Sequence, residues 1–135
     1  MISSITNQGK LRFMFYESNM NAQIFISFME KLIVDSKKKV FFIVDNLKSN
    51  HAKIVDNWLK LHTDKIELFF LPSYCPEYNL DEYLNGDLKR EMSKKECAKT
   101  VEKIHSNANE IMEKFKNDES HVASFFRHPC VKYAA

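Results

Sequence analysis

The sequence predicts an α/β fold, a mixed sheet with flanking helices, on three observations. Two short strand-like segments, 2–7 and 11–16, flank Asn7-Gln8-Gly9-Lys10, a link with hairpin turn chemistry in which Gly9 is free to take positive φ. Two further runs, VFFIVD at 40–45 and IELFFL at 66–71, are strongly apolar and too short for helices. Stretches with helical apolar spacing separate these runs, an order that suggests right-handed parallel crossovers after the hairpin.

Each element has its own signal. LRFMFY (11–16) is continuously apolar apart from Arg12, as expected of a strand covered on both faces. Ser18 or Asn19 is placed to cap a helix carrying Ile24, Phe25, Phe28, Met29, Leu32 and Ile33 on one face and running to about Asp35. VFFIVD then reads as a buried central strand ending in an acid. Ser49 or Asn50 is placed to cap the next helix, with Ile54, Val55, Trp58, Leu59 and Leu61 as its apolar stripe. IELFFL is stopped by Pro72, and PSYCPEY (72–78) is a loop held by two prolines. Asn79 stands three residues before Glu82, a capping-box spacing that opens a helix from about 80 to 91. Ser93 and Glu96 repeat that spacing. They predict a new helix to about Asn117, with Val101, Ile104, Ala108, Ile111 and Phe115 on one face. The tail SHVASFFRHPCVKYAA is expected to be a short apolar segment packed across the sheet.

The totals bound the class. A length of 135 residues points to a single domain, 1–135, able to bury a substantial core. Hydrophobic content of 44% with 28% charged residues is a globular composition. Two glycines and three prolines argue against long linkers. No apolar run approaches the ~20 residues that span a bilayer, and no signal peptide follows Met1, so a cytoplasmic protein is expected. A formal charge of +2 permits nucleic-acid binding without implying it. Cys75, Cys97 and Cys130 have neither zinc-site nor CxxC spacing and are expected to be free thiols.

Asp45 is the first candidate for chemistry, because ligands bind beyond the carboxyl ends of strands in open α/β sheets. In the plainer reading it starts a turn or caps the following helix. Glu82 is the second candidate, against a purely structural role in a capping box. Asp81 beside it complements the helix dipole. A carboxylate pair suits a hard cation, and two such ions clamp the attacking and leaving oxygens of a phosphodiester. Such a site also wants a third carboxylate, and none is evident. His51 could contact a phosphate or shuttle a proton, although an exposed histidine commonly does neither. Tyr74 and Tyr78 flank the proline loop and either pack it down, the favoured reading, or stack on an unpaired base. Lys89, Arg90, Lys94, Lys95, Lys99 and Lys103 make a basic stretch, either a solvated face with interspersed glutamates or a phosphate-tracking surface.

Three segments carry a family resemblance: DNLKSNHAKIVDNWL (45–59), LPSYCPEYNLDEYLNGDLKR (71–90) and FFRHPCVKY (125–133). They resemble the catalytic domain of DDE-type transposases, most closely the bacterial insertion-sequence branch of the mariner-like superfamily. In that family the second catalytic Asp opens a D-N-x-x-x-x-H segment, matched by Asp45, Asn46 and His51. The third acid closes an N-P-x-E motif after P-x-Y-S-P, matched by Asn79 through Glu82, with Leu80 in place of the proline and Cys75 in place of the serine. The resemblance implies a ribonuclease H-like fold and Mg²⁺-dependent (or Mn²⁺-dependent) polynucleotidyl transfer on transposon-end DNA. Asp45 and Glu82 would be metal ligands and catalytic acids. Asn46, His51, Tyr74, Asn79, Lys89 and Arg90 would lie along the nucleic acid.

The family's first catalytic Asp sits on a first strand upstream of the hairpin, whereas no Asp or Glu precedes Glu17 here. The expectation is a domain lacking its N-terminal central strand. In the ribonuclease H-like sheet that strand lies between the hairpin and the strand ending at Asp45, so its neighbours would need new backbone partners. Either the gap closes by rearrangement, or the chain pairs with a second copy or with a polypeptide that supplies the strand. Two functions remain open. One is an incomplete transposase, inactive alone; the other is a non-catalytic remnant that binds nucleic acid or regulates by interaction.

Overall fold

The computed structural model describes all 135 residues. The elements in chain order are β1 (Ile2–Ile5), β2 (Leu11–Met14), α1 (Ala22–Asp35), β3 (Val40–Val44), α2 (Lys53–Lys60), β4 (Ile66–Phe70), α3 (Leu80–Ser93), α4 (Val101–Lys116) and α5 (Glu119–Ser124), with short 3-10 turns between. The chain is a mixed α/β protein with two two-stranded sheets, β1–β2 and β3–β4. It divides into two compact units. One comprises Met1–Ile2 and Met14–Cys75, the other Ser3–Phe13 and Pro76–Ala135.

In the first unit β3 and β4 run parallel, with Val40 opposite Ile66 and Val44 opposite Phe70. The connection passes through α2, as parallel strands require a crossover. Val40, Phe42 and Val44 share one face with Ile66 and Leu68, because side chains alternate along a strand. That face meets Phe25, Ile26 and Met29 of α1 and Val55, Trp58 and Leu59 of α2. The Phe42 ring lies 6.2 Å from those of both Phe25 and Phe28. Met29 and Val55 are completely buried. Each such side chain contributes about 1.5–3 kcal/mol through the water it sheds.

The expectation of β3 as a buried central strand is corrected. Both helices cover the same face, so Phe41, Ile43 and Phe69 on the other side stay exposed, and β3 has one neighbour instead of two. Lys39 pairs with Glu67 at 3.0 Å and lies over the Phe41 ring along that side. The caps also move. Asn21, not Ser18 or Asn19, accepts the amide of Ile24 at 2.9 Å and starts α1. Neither Ser49 nor Asn50 caps α2. A 3-10 turn occupies Lys48–His51, and α2 begins after Ala52 without a side-chain cap.

The second unit is mainly helical. Leu84 of α3, Met112 of α4, Val122 of α5 and Val131 are fully buried. Ser3 of β1 donates its hydroxyl to the Asp81 carboxylate near the start of α3. Gly9 has φ 84, and a Cβ there would lie 1.9 Å from the Glu119 carbonyl oxygen, so only glycine fits this turn. The predicted break after α3 is present, but Ser93 does not start the next helix. Thr100 accepts the amide of Lys103 at 3.1 Å and caps α4. The tail is not an extended segment across a sheet. It forms α5 and 3-10 turns at Phe125–Arg127 and Pro129–Ala134, which bury Phe126 and Val131 among helices. No helix is long and apolar enough to cross a membrane.

Candidate functional site

Asp45 is the first residue beyond β3. The last ladder bond beside it runs from the Leu71 amide to the Val44 carbonyl at 2.8 Å, so the strand ends at the residue before the acid. The 3-10 turn folds the chain back and delivers Asn50 to Asp45. Asn50 Nδ2 donates to the Asp45 carbonyl oxygen and to its Oδ1, each at 3.1 Å. Asn50 is 5% exposed, whereas Asn46, Leu47, Lys48 and His51 around it are exposed. Ser49 Oγ donates to Asn50 Oδ1 at 3.3 Å, which completes the amide's bonding.

Two further predicted residues gather on this side of the first unit. Asn46 Oδ1 accepts from His51 Nε2, and Asn46 Nδ2 donates to Ser73 Oγ at 2.8 Å. The His51 ring stacks on Phe70 with centroids 4.1 Å apart. The D-N-x-x-x-x-H segment thus contributes two adjacent polar sets, Asp45–Asn50 and Asn46–His51, at the carboxyl ends of β3 and β4. Tyr74, one residue after Ser73, is the chain's only non-glycine residue with positive φ, at 61°, and is fully exposed. The expected packing role therefore fails for Tyr74. Its ring rests on nothing, and its backbone occupies a region that costs of order 1 kcal/mol or more for a bulky residue.

The remaining predicted residues belong to the second unit. Asn79 caps α3 by accepting the Asp81 amide at 3.0 Å. Glu82 is exposed in the first turn and lines a shallow cleft of about 240 Å³ with Pro76, Glu77 and Tyr83. Its neighbour Tyr83 places its hydroxyl 3.2 Å from the Glu77 carbonyl and 2.9 Å from His128 Nδ1. Burial, with smaller contributions from Cys130 and Glu77, raises the Tyr83 phenol pKa, so it stays neutral. Tyr78 offers its carbonyl to the Tyr133 hydroxyl, which fixes the end of the proline loop. Arg90 pairs with the buried Asp87. Lys94 pairs with Glu91, and Lys95 with Glu110 at 2.9 Å. Much of the basic stretch is therefore matched by acids within the unit, and Lys89 remains exposed.

The oxygen donors of Asp45 and Glu82 are of the kind a hard cation takes. No group of three His, Cys, Asp or Glu side chains that could hold a metal ion is assembled, so the residues present do not complete a metal site. Sequence reasoning missed Asn50 as a partner of Asp45. Its signal was an asparagine five residues after the acid, which also suits a helix cap. A comparison with curated proteins finds no match. The model of the DDE superfamily endonuclease matches residues 1–105, a span that holds the hairpin, Asp45 with its cluster, the proline loop and Glu82, and the chain belongs to that family.

Proposed function

We propose that this chain carries the greater part of a transposase-type nuclease, with DNA as substrate and with Asp45 and Glu82 as two of its catalytic acids. The reaction would be cleavage of a phosphodiester by water, followed by strand transfer to a DNA 3′-hydroxyl. The observation that carries this reading is the family match across both acids, with Asp45 set at the carboxyl end of β3 among polar side chains. A first acid on an added central strand would come from outside these residues, in a ribonuclease H-like sheet of the insertion-sequence type. That strand could be supplied by a further polypeptide. Divalent metal use is general in the family and would depend on that third carboxylate. Asn46, His51, Asn79, Lys89 and Arg90 would border the DNA, and exposed Tyr74 would stack on an unpaired base.

The incomplete donor set favours a second reading, a non-catalytic module that binds nucleic acid or regulates an intact transposase. Nicking of supercoiled DNA in Mg²⁺ or Mn²⁺ separates the two. Nicking that disappears in both Asp45→Asn and Glu82→Gln supports the nuclease. Salt-sensitive DNA binding without nicking supports the module. Nicking that persists in both variants overturns the site assignment.

A further inference from the structure

We infer that Asn50 is the positioning residue for Asp45, fixing the orientation of its carboxylate; the catalytic meaning of this rests on the nuclease reading above. Asp45 stands beyond the last ladder bond of β3, so sheet pairing does not hold its side chain. An asparagine that served only to shape the turn would need one bond, to the Asp45 carbonyl. Asn50 makes two, and the second reaches Oδ1 at the same 3.1 Å. One amide nitrogen with two hydrogens thereby ties the carboxylate to its own backbone carbonyl, which restricts the side-chain torsion between them.

Burial strengthens the argument. Asn50 is the one buried residue in a turn whose other members are exposed or half-buried. An amide taken out of water is tolerated only when bonded, and here both its ends are. Preorganisation of this kind is what a reacting carboxylate needs from its support.

The test is NMR measurement of the Asp45 side-chain torsion, from three-bond couplings at one fixed pH, in the whole chain, in Asn50→Ala and in Asn50→Asp. The parent should hold one rotamer, and loss of the donor in Asn50→Ala should average the couplings over several. The isosteric Asn50→Asp keeps the shape of the side chain but has no N–H to donate, and should average them as well. A variant that keeps the parent amide spectrum while the Asp45 couplings stay those of one rotamer overturns the inference. If both variants unfold, Asn50 is a scaffold residue and the positioning role falls. The couplings read Asp45 whether or not DNA is cut. Nicking that survives Asp45→Asn would therefore remove Asp45 from the catalytic site and leave this geometry standing.

Discussion

His121 Nε2 stands 2.8 Å from Asp87 Oδ2, at ion-pair distance but without the alignment of a hydrogen bond. The contact is therefore electrostatic and has full strength only when the imidazole is protonated. Arg90 takes the other carboxylate oxygen. The His121 ring is also held between Phe115 and Phe125, at 5.3 and 5.1 Å. A buried acid on α3 is thus answered from its own helix and from α5.

Removing Asp87 should cost more than removing either partner. Asp87→Ala is expected to destabilise the chain by about 2 kcal/mol, below the cost of a fully buried pair because the Arg90 side chain is 61% exposed. Arg90→Ala should cost less than about 1 kcal/mol. Urea denaturation of the two variants checks this, and equal losses would show that the burial of Asp87 is immaterial.

Tyr74 should separate stability from binding. Tyr74→Asn is expected to gain about 0.5–1 kcal/mol, since Asn adopts positive φ more readily than a bulky residue does. The same variant should weaken binding of a single-stranded oligonucleotide by about 1–3 kcal/mol, the range for one stacked base. Thermal melts and fluorescence anisotropy measure the two effects. Unchanged affinity would remove Tyr74 from the DNA surface.

Alkaline stability should depend on Tyr133. Burial raises its phenol pKa, and the hydroxyl donates to the Tyr78 carbonyl. A group whose folded pKa lies above its unfolded value binds more protons in the native state as pH rises through that interval. Its contribution is therefore intact below about pH 10, the ordinary phenol value, and is lost above it. Tyr133→Phe should flatten this loss in denaturation midpoints measured from pH 9 to 11.5.

The break between α3 and α4 gives the sharpest contrast between sequence signal and structure. Thr100→Ala should cost about 1 kcal/mol, the usual value of an N-cap, and Ser93→Ala only a few tenths. Helix content and melting temperature decide it. Comparable losses would restore Ser93 as the cap.

That contrast also shows what was legible. The Ser93–Glu96 spacing has the form of a capping box, but Ser93 Oγ donates back to the Arg90 carbonyl at 2.7 Å and closes α3 instead. A four-residue pattern does not record which direction the hydroxyl turns. The two parallel strands were readable because VFFIV and IELFF are short apolar runs bounded by breakers. Their exposed face was not, because a continuous apolar run carries no alternation to say that one side lacks a cover. The place of Asp45 after β3 was readable from the apolar run that precedes it. Asn50 was not, since its role depends on a 3-10 turn that reverses the chain.

The register of β3 against β4 has a temporal consequence. Every partner lies 26 residues further along the chain, from Val40 with Ile66 to Val44 with Phe70. No part of this sheet can form early from near neighbours. During synthesis VFFIV must therefore wait until Phe70 has emerged, roughly one to five seconds at ordinary translation rates. Until α2 is made, α1 is the surface that shelters Phe42. The hairpin closes across Thr6 to Lys10 as soon as it is made. The β3–β4 pair therefore forms well after the hairpin, and the ribosome's pace sets how long its strand stays adhesive.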